Sequence, residues 1–135
     1  MKSAILLVSF LLVACASSDS MVQTKQKAKS DPHVLKGASD CLSESLISGF
    51  NPLDDRHLVL YGSGSRRVFL VEISPACFDL EYRNTLAVID GDDNGRICGF
   101  GRDSIGFERF GRVEHCRIMG MEELSEERRL EVLGK

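Results

Sequence analysis

The sequence predicts a mainly β fold, a small antiparallel sheet curled as a barrel or sandwich, and three observations lead to it. Short apolar segments alternate with turns rich in glycine, aspartate and asparagine through the middle of the chain. Four of the five cysteines fall in the same region, an even number that is typical of a small disulfide-stapled domain. One short helix is predicted, and it lies near the C-terminus.

The predicted strands are runs of apolar and β-branched residues between turn signals. Residues 67–73 give the strongest strand because they are apolar at nearly every position, as in a strand buried on both faces. Pro75 ends that strand, since proline has no N–H to donate to a sheet. The other predicted strands are residues 57–61, 85–89, 96–98, 105–110 and 114–119, with a short apolar piece at 46–50.

The C-terminal helix is predicted over residues 124–133. Ser125 is placed to cap its first turn, and Glu126 and Glu127 favour the positive end of the helix dipole. We therefore divide the folded part of the chain into a β-domain at 41–120 and a C-terminal helical tail at 121–135.

The segment before Cys41 differs in composition from this predicted domain. Between Cys41 and Arg117 every basic residue is arginine, whereas the lysines that follow the signal region lie outside that stretch. Residues 16–40 hold few large apolar side chains and show no periodicity, so we predict a disordered tether.

The first residues have the features of a secretory signal. Lys2 precedes a short apolar run at 4–13, which is far too short to cross a bilayer as a helix. The run ends in Leu-Val-Ala-Cys, and this ending resembles the lipobox of bacterial lipoproteins. The resemblance implies that residues 1–14 are a signal peptide and that Cys15 becomes the first residue after cleavage. Acyl chains such as palmitate are then attached to Cys15, which begins a tether at 15–40.

The residue after the acylated cysteine carries a further implication of that resemblance. Lipoproteins retained in the inner membrane typically have Asp there, and this chain has Ala16, which implies an outer-membrane anchor facing the periplasm. The alternative is an ordinary secretory cut after Ala16, which gives a soluble periplasmic protein. The formal net charge of −3 at pH 7 shows no overall basic bias toward nucleic acid.

The four remaining cysteines allow three disulfide pairings, and the sequence alone does not choose among them. We predict Cys77–Cys98, joining a strand end to a nearby strand, and Cys41–Cys116, joining the start of the domain to its last strand. No two of these cysteines have the spacing of a zinc finger or of a redox C-x-x-C motif. Structural disulfides are therefore favoured over a metal or redox site.

A wider pattern accompanies these cysteines. Its parts are CL at 41–42, ISGF at 47–50, LDDR at 53–56, YG at 61–62, LVEI at 70–73, RICG at 96–99, RDSI at 102–105 and CRI at 116–118. The pattern resembles a family of small, exported, four-cysteine bacterial proteins that is classed as a domain of unknown function. The resemblance covers about residues 41–124 and implies an envelope location and a compact domain, with no activity attached.

The most specific local motif is the sequence DGDDNGRI at 90–97. Asp90, Asp92 and Asn94 match the first half of an EF-hand calcium loop, where alternate oxygens converge on one cation. The second half fails, because Gly101 stands where a bidentate glutamate belongs. We interpret the motif as a hairpin turn and keep a calcium site as the alternative.

Other candidate residues give no catalytic pattern, so an enzyme is not predicted. His57 and His115 lie in strand patterns, and Asp54 and Asp55 lie in a turn where they are expected to cap the backbone. The arginines that could form an anion-binding face are Arg66, Arg67, Arg102, Arg109 and Arg112. We favour the alternative that they are solvated residues at strand edges, where they discourage edge-to-edge pairing.

Three functions follow in order of preference. The first is a non-enzymatic envelope structural or interaction module, held to the membrane through the lipid on Cys15 and without a cofactor. The second is a small-ligand or calcium-binding periplasmic module. The third is a small periplasmic hydrolase, which requires His57 or His115 to lie beside a carboxylate.

Overall fold

The computed structural model describes residues 31–64, 66–74 and 76–134. Eight strands, one α-helix and two 3₁₀ turns follow each other along this part of the chain. The strands are β1 (Cys41–Ser43), β2 (Ile47–Pro52), β3 (His57–Gly62), β4 (Val68–Ser74), β5 (Ala87–Ile89), β6 (Arg96–Cys98), β7 (Ser104–Arg109) and β8 (Arg112–Glu123). The helix is α1 (Glu126–Leu133), and the 3₁₀ turns are Glu44–Leu46 and Leu80–Tyr82.

Six of the strands form one antiparallel sheet in the order β2-β3-β4-β8-β7-β5, which curls into a half-barrel. The predicted mainly β class, with a curled antiparallel sheet and a short C-terminal helix, is confirmed. β8 is the longest strand and pairs with β4 through its second half and with β7 through its first half. This one strand therefore joins the two halves of the sheet.

The concave face of the sheet holds the larger apolar core. Strand β4 contributes Phe69, Val71 and Ile73, all nearly inaccessible to solvent, and β8 contributes Ile118 and Met121. Burying side chains of this size stabilises the fold by roughly 1.5–3 kcal/mol each. The other buried members are Leu42, Leu58, Leu60, Cys77, Leu80, Ile97, Ile105, Phe107 and Cys116.

The opposite face of the sheet carries a second, smaller core. Val59 and Leu70 are register partners on β3 and β4, and they pack with Val68, Leu124 and Val132. Strand β4 is thus buried on both faces, as its unbroken apolar sequence predicts.

The segment before β1 is part of the fold, which corrects the tether prediction for residues 31–40. The N–H of Met121 donates to the carbonyl of Ala38, the N–H of Asp40 donates to the carbonyl of Met121, and Leu35 packs on the smaller core. These contacts use mainly backbone atoms, so the side-chain pattern gave no signal of them. The rest of the predicted tether, residues 15–30, lies outside the described residues, as do the predicted signal peptide at 1–14 and the acylation site Cys15.

The loop after β6 and the N-terminal segment lie in close contact, and this contact depends on glycine at position 99. A Cβ built at Gly99 would collide with the carbonyl oxygen of Ala38 and the backbone nitrogen of Met121. Only glycine lets the loop after β6 pass this close to the N-terminal segment and β8.

The disulfides join Cys41 to Cys98 and Cys77 to Cys116, so the predicted pairs Cys77–Cys98 and Cys41–Cys116 are wrong. Cys41 and Cys98 face each other in the two-stranded β1–β6 sheet, with Cα atoms 4.2 Å apart. Cys77 follows β4, whose sheet neighbour is β8, and this brings its Cα within 6.2 Å of that of Cys116. Each disulfide joins cysteines on or next to strands that are neighbours in the fold. The sequence alone does not show which strands are neighbours, so it could not give the pairing.

Helix α1 begins as predicted, because the hydroxyl of Ser125 accepts a hydrogen bond from the N–H of Arg128. The boundary predicted between residues 120 and 121 falls inside β8, which continues to Glu123. Within the described ranges, no helix is long and apolar enough to span a membrane.

Candidate functional site

Two histidines and an aspartate meet where the N-terminal segment crosses the β2–β3 turn. Asp54 lies in that turn, and its Oδ1 accepts hydrogen bonds from the N–H groups of Arg56 (2.7 Å) and His57 (2.8 Å). The backbone N–H of Asp54 donates to the carbonyl of His57. The turn therefore fixes the carboxylate through its own backbone.

The other carboxylate oxygen of Asp54 faces two imidazole rings. Asp54 Oδ2 lies 3.1 Å from His33 Nδ1 and 2.9 Å from His57 Nδ1. The ring centroids are 5.7 Å apart, and the ring planes are tilted by 48°. We call His33, Asp54 and His57 the histidine–aspartate cluster.

The cluster lies at the protein surface without being fully exposed. The side chains of His33 and His57 are 23% and 15% exposed, and that of Asp54 is 40% exposed. Burial raises the pKa of Asp54, but hydrogen bonds from the N–H of Arg56 and from His57 and His33 outweigh it and hold that pKa below its ordinary value. Asp54 is thus kept as a carboxylate beside the two rings.

The sequence identified part of this cluster. Asp54 caps the turn as predicted, and His57 lies beside a carboxylate, which is the arrangement that the hydrolase alternative required. His33 was missed because it falls in the segment that was predicted to be a tether. A histidine two residues after Asp31, within an otherwise featureless segment, carries no periodic signal.

The turn at 90–95 brings together two of the three predicted calcium ligands. Carboxylate oxygens of Asp90 and Asp92 lie within 4.8 Å of each other and of an oxygen of the buried Asp103, which the sequence analysis did not select. Asn94 has a different contact, because its side-chain oxygen accepts from the N–H of Arg96 at 2.8 Å.

Backbone N–H groups already bind the best-placed oxygens in this turn. Asp90 accepts from Asp92 and Gly95, while Asp103 accepts from Gly91 at 3.0 Å and from Cys98 at 2.7 Å. Burial raises the pKa of Asp90, but these N–H bonds outweigh it and lower that pKa. The geometry is that of a hairpin turn stabilised by carboxylates, which is the interpretation favoured from the sequence.

The candidate arginine face is divided among separate ion pairs. Arg67 makes two 2.7 Å hydrogen bonds to the carboxylate of Glu123, and Arg109 lies near Asp79 and Glu114. Arg102 lies 3.4 Å from Asp92, whereas Arg66 and Arg112 are exposed. Because acidic partners hold several of them apart, these arginines do not converge on one site.

A groove of about 560 Å³ opens between residues 83–87, which lead into the edge strand β5, and the β7–β8 hairpin. Phe107 and Leu86 line it, together with Phe110 at the hairpin tip and Val113, which are 91% and 62% exposed. The guanidinium of Arg83 lies 5.1 Å from the ring centre of Phe107 and donates to the carbonyl of Glu108. This groove is an apolar surface with a charged rim, and the sequence analysis did not find it.

Comparison with known proteins gives one match. The sequence profile of the family of unknown function DUF6491 matches residues 1–132. No curated protein and no solved structure matches the chain.

Proposed function

Because the chain belongs to the family of unknown function DUF6491, we propose a function from its own residues: it is an outer-membrane-anchored lipoprotein whose β-domain is a non-enzymatic interaction module. The observation that carries the interaction role is the groove beside β5. It presents apolar side chains that a folded domain normally buries.

The anchor is supported by the N-terminal sequence and by the cysteines. A charged start, a short apolar run and a lipobox-like ending favour acylation of Cys15. Two disulfides within the domain suit an oxidising compartment such as the periplasm. We infer that the domain stays at the inner face of the outer membrane, with a soluble periplasmic protein as the alternative.

The position of the groove supports a protein partner. β7 pairs with β5 only over residues 104–106, so beyond Gly106 the edge of β7 that faces the groove has no β5 partner and is open to a further segment of chain. Phe110 and Val113 line the same groove as exposed apolar side chains, and phenylalanine is enriched at protein interfaces. We propose that the groove binds an extended apolar segment of another envelope protein.

Site-specific crosslinking in living cells tests the groove. A photoreactive residue at position 110 is expected to give a discrete crosslinked species in the envelope, and Val113→Asp should abolish it. The matched control is position 130, since Leu130 is a similarly exposed apolar residue on α1, away from the groove. No adduct at position 110, or the same adducts from both positions, would contradict the proposal.

A small ligand is the second candidate, because the groove volume of about 560 Å³ falls in the range of small-molecule sites. The two candidates differ in the crosslinking result, since a small ligand gives no protein adduct that depends on Val113.

A hydrolase is the weakest candidate. The pairing of His57 with Asp54 favours it, but a hydrolase of the serine or cysteine type also needs a nucleophile beside the imidazole. Across the part of the chain that the structure describes, no hydroxyl is hydrogen-bonded to His33 or His57, and the four cysteines there are all in disulfides.

A further inference from the structure

We propose that His33, Asp54 and His57 form a binding site for a divalent transition-metal ion of the zinc class. This site is separate from the groove and does not depend on the proposed function. It is carried by the placement of three donor atoms from two distant parts of the chain.

The distances fit a metal site. Zinc binds imidazole nitrogen and carboxylate oxygen at about 2.0–2.2 Å, so two ligands of a tetrahedral ion lie roughly 3.3 Å apart. The Oδ2 atom of Asp54 lies 3.1 Å from one Nδ1 and 2.9 Å from the other, and all the donor atoms lie within 4.8 Å of one another. Both carboxylate–imidazole separations are already within a few tenths of an ångström of this value, and the two Nδ1 atoms, which lie within 4.8 Å of each other, are brought around one ion by side-chain adjustment.

The carboxylate is oriented before any ion arrives. Oδ1 of Asp54 accepts from the N–H groups of Arg56 and His57 and lies 3.0 Å from Nδ1 of His57, while Oδ2 lies within 3.1 Å of Nδ1 of both rings. Hydrogen bonds that hold a ligating carboxylate in this way are a usual feature of metal sites. The turn therefore already holds the Asp54 side chain in one orientation, so binding of an ion does not have to order it.

The donor set selects the class of ion. Two imidazole nitrogens and one carboxylate oxygen suit zinc and its neighbours, whereas calcium and magnesium prefer oxygen ligands alone. Three protein ligands leave a fourth position open to water or to a further carboxylate. The nearest such group to His33 is Asp31, whose Oδ1 lies 4.0 Å from Nδ1 of that histidine.

The ligands join two parts of the fold. His33 lies in the N-terminal segment, while Asp54 and His57 lie at the β2–β3 turn and the start of β3. An ion held by all three would pin the N-terminal segment to the sheet. Zinc should therefore slow backbone hydrogen exchange in residues 31–36 as well as raise the unfolding temperature.

Calorimetric titration with Zn²⁺ alone tests the site, using the full chain in detergent with both disulfides intact and treated beforehand with a chelator. We expect one tightly bound Zn²⁺ per chain. The variants His33→Gln, His57→Gln and Asp54→Asn should each weaken binding by more than about 100-fold, since loss of a ligand exceeds the 10–100-fold effect of losing its supporting partner.

The chain offers a matched control, because its third histidine lies elsewhere. His115 is exposed on β8 opposite Gly106, and His115→Gln should leave zinc affinity unchanged. If His57→Gln does not fold, His33→Gln decides, since His33 lies outside the sheet. The proposal is overturned if the protein takes up no zinc, if the three variants bind as the wild type does, or if His115→Gln loses binding equally. It is also overturned if zinc leaves exchange in residues 31–36 unchanged.

Discussion

Single carboxylates decide much of the local structure of this protein. Asp54 closes the β2–β3 turn and faces two imidazoles, and the buried Asp103 accepts from the N–H groups of Gly91, in the turn after β5, and of Cys98, at the end of β6. The sequence indicated the turn role of Asp54 because aspartate before a strand is a common turn residue. It did not indicate Asp103, whose two partners, at the turn after β5 and at the end of β6, reach it only in the folded chain.

Glu123 gives a prediction for pH dependence. The two hydrogen bonds from Arg67 lower the pKa of Glu123 below its ordinary value of 4.5. A lowered carboxylate pKa stabilises the fold above that ordinary value, and the stabilisation is lost as the pH falls through the lowered pKa. Because both side chains are more than a third exposed, we expect only about 0.5 kcal/mol from this pair.

NMR titration of the Glu123 side chain measures this directly. The pKa should lie below 4.5 in the wild type and rise toward 4.5 in Arg67→Met. The control is Arg112→Met, since Arg112 is exposed and lies on the other half of the sheet. An unchanged Glu123 pKa in Arg67→Met would show that the ion pair does not form in solution.

At the scale of elements, the sequence predicted the segments that carry their own pattern. β4 is apolar at nearly every position and is buried on both faces, and α1 begins at its predicted cap. Residues 31–40 could not be placed in this way, because backbone hydrogen bonds and one leucine hold them to β8. Their attachment depends on a strand that is distant in sequence.

A buried ion pair completes that attachment. Arg128 on α1 is 5% exposed and donates to Glu122 on β8 and to the carbonyl of Val34. Glu122 in turn accepts from the N–H of Lys36 at 2.9 Å. Arg128 also donates to Glu131 on the helix at 2.8 Å, so helix, sheet and N-terminal segment meet at this group of charges.

Arg128→Met is expected to destabilise the protein by about 3–5 kcal/mol, because it leaves the Glu122 side chain buried without its cationic partner. Urea unfolding measures the loss, and hydrogen exchange in residues 31–40 should quicken in the same variant. Replacing Glu122 by Gln in the Arg128→Met background should restore part of the stability. The exposed Arg112→Met should change stability by less than about 0.5 kcal/mol, and an equal loss in both variants would refute the assignment.

For the whole molecule, the fold class followed from the sequence and the disulfide connectivity did not. Alternating apolar runs and turns are local features, so they predict strands and a curled antiparallel sheet. Cys77 pairs with Cys116 because β4 and β8 are neighbours in the sheet, and such long-range pairing is not encoded in local spacing. The groove arises in the same way, from the meeting of residues 83–87 with the β7–β8 hairpin.

Removing one disulfide tests the connectivity. Cys77→Ser combined with Cys116→Ser should cost about 2–5 kcal/mol while leaving one intact bond between Cys41 and Cys98. Thermal unfolding gives the stability loss, and peptide mapping without reduction identifies the remaining link. A wild-type map that joins Cys77 to Cys98 would contradict the structure.

The central claim, that this is a disulfide-stapled domain on a lipid anchor, is tested most directly by one mass measurement. The full-length chain is expressed in a Gram-negative host, and the intact mass of the membrane fraction is taken with and without reduction. We predict a chain that begins at Cys15, carries acyl mass on that residue, and gains the mass of four protons on reduction of its two disulfides. A soluble, unacylated product cut after Ala16 would contradict the anchor, and an unchanged mass on reduction would contradict the disulfides.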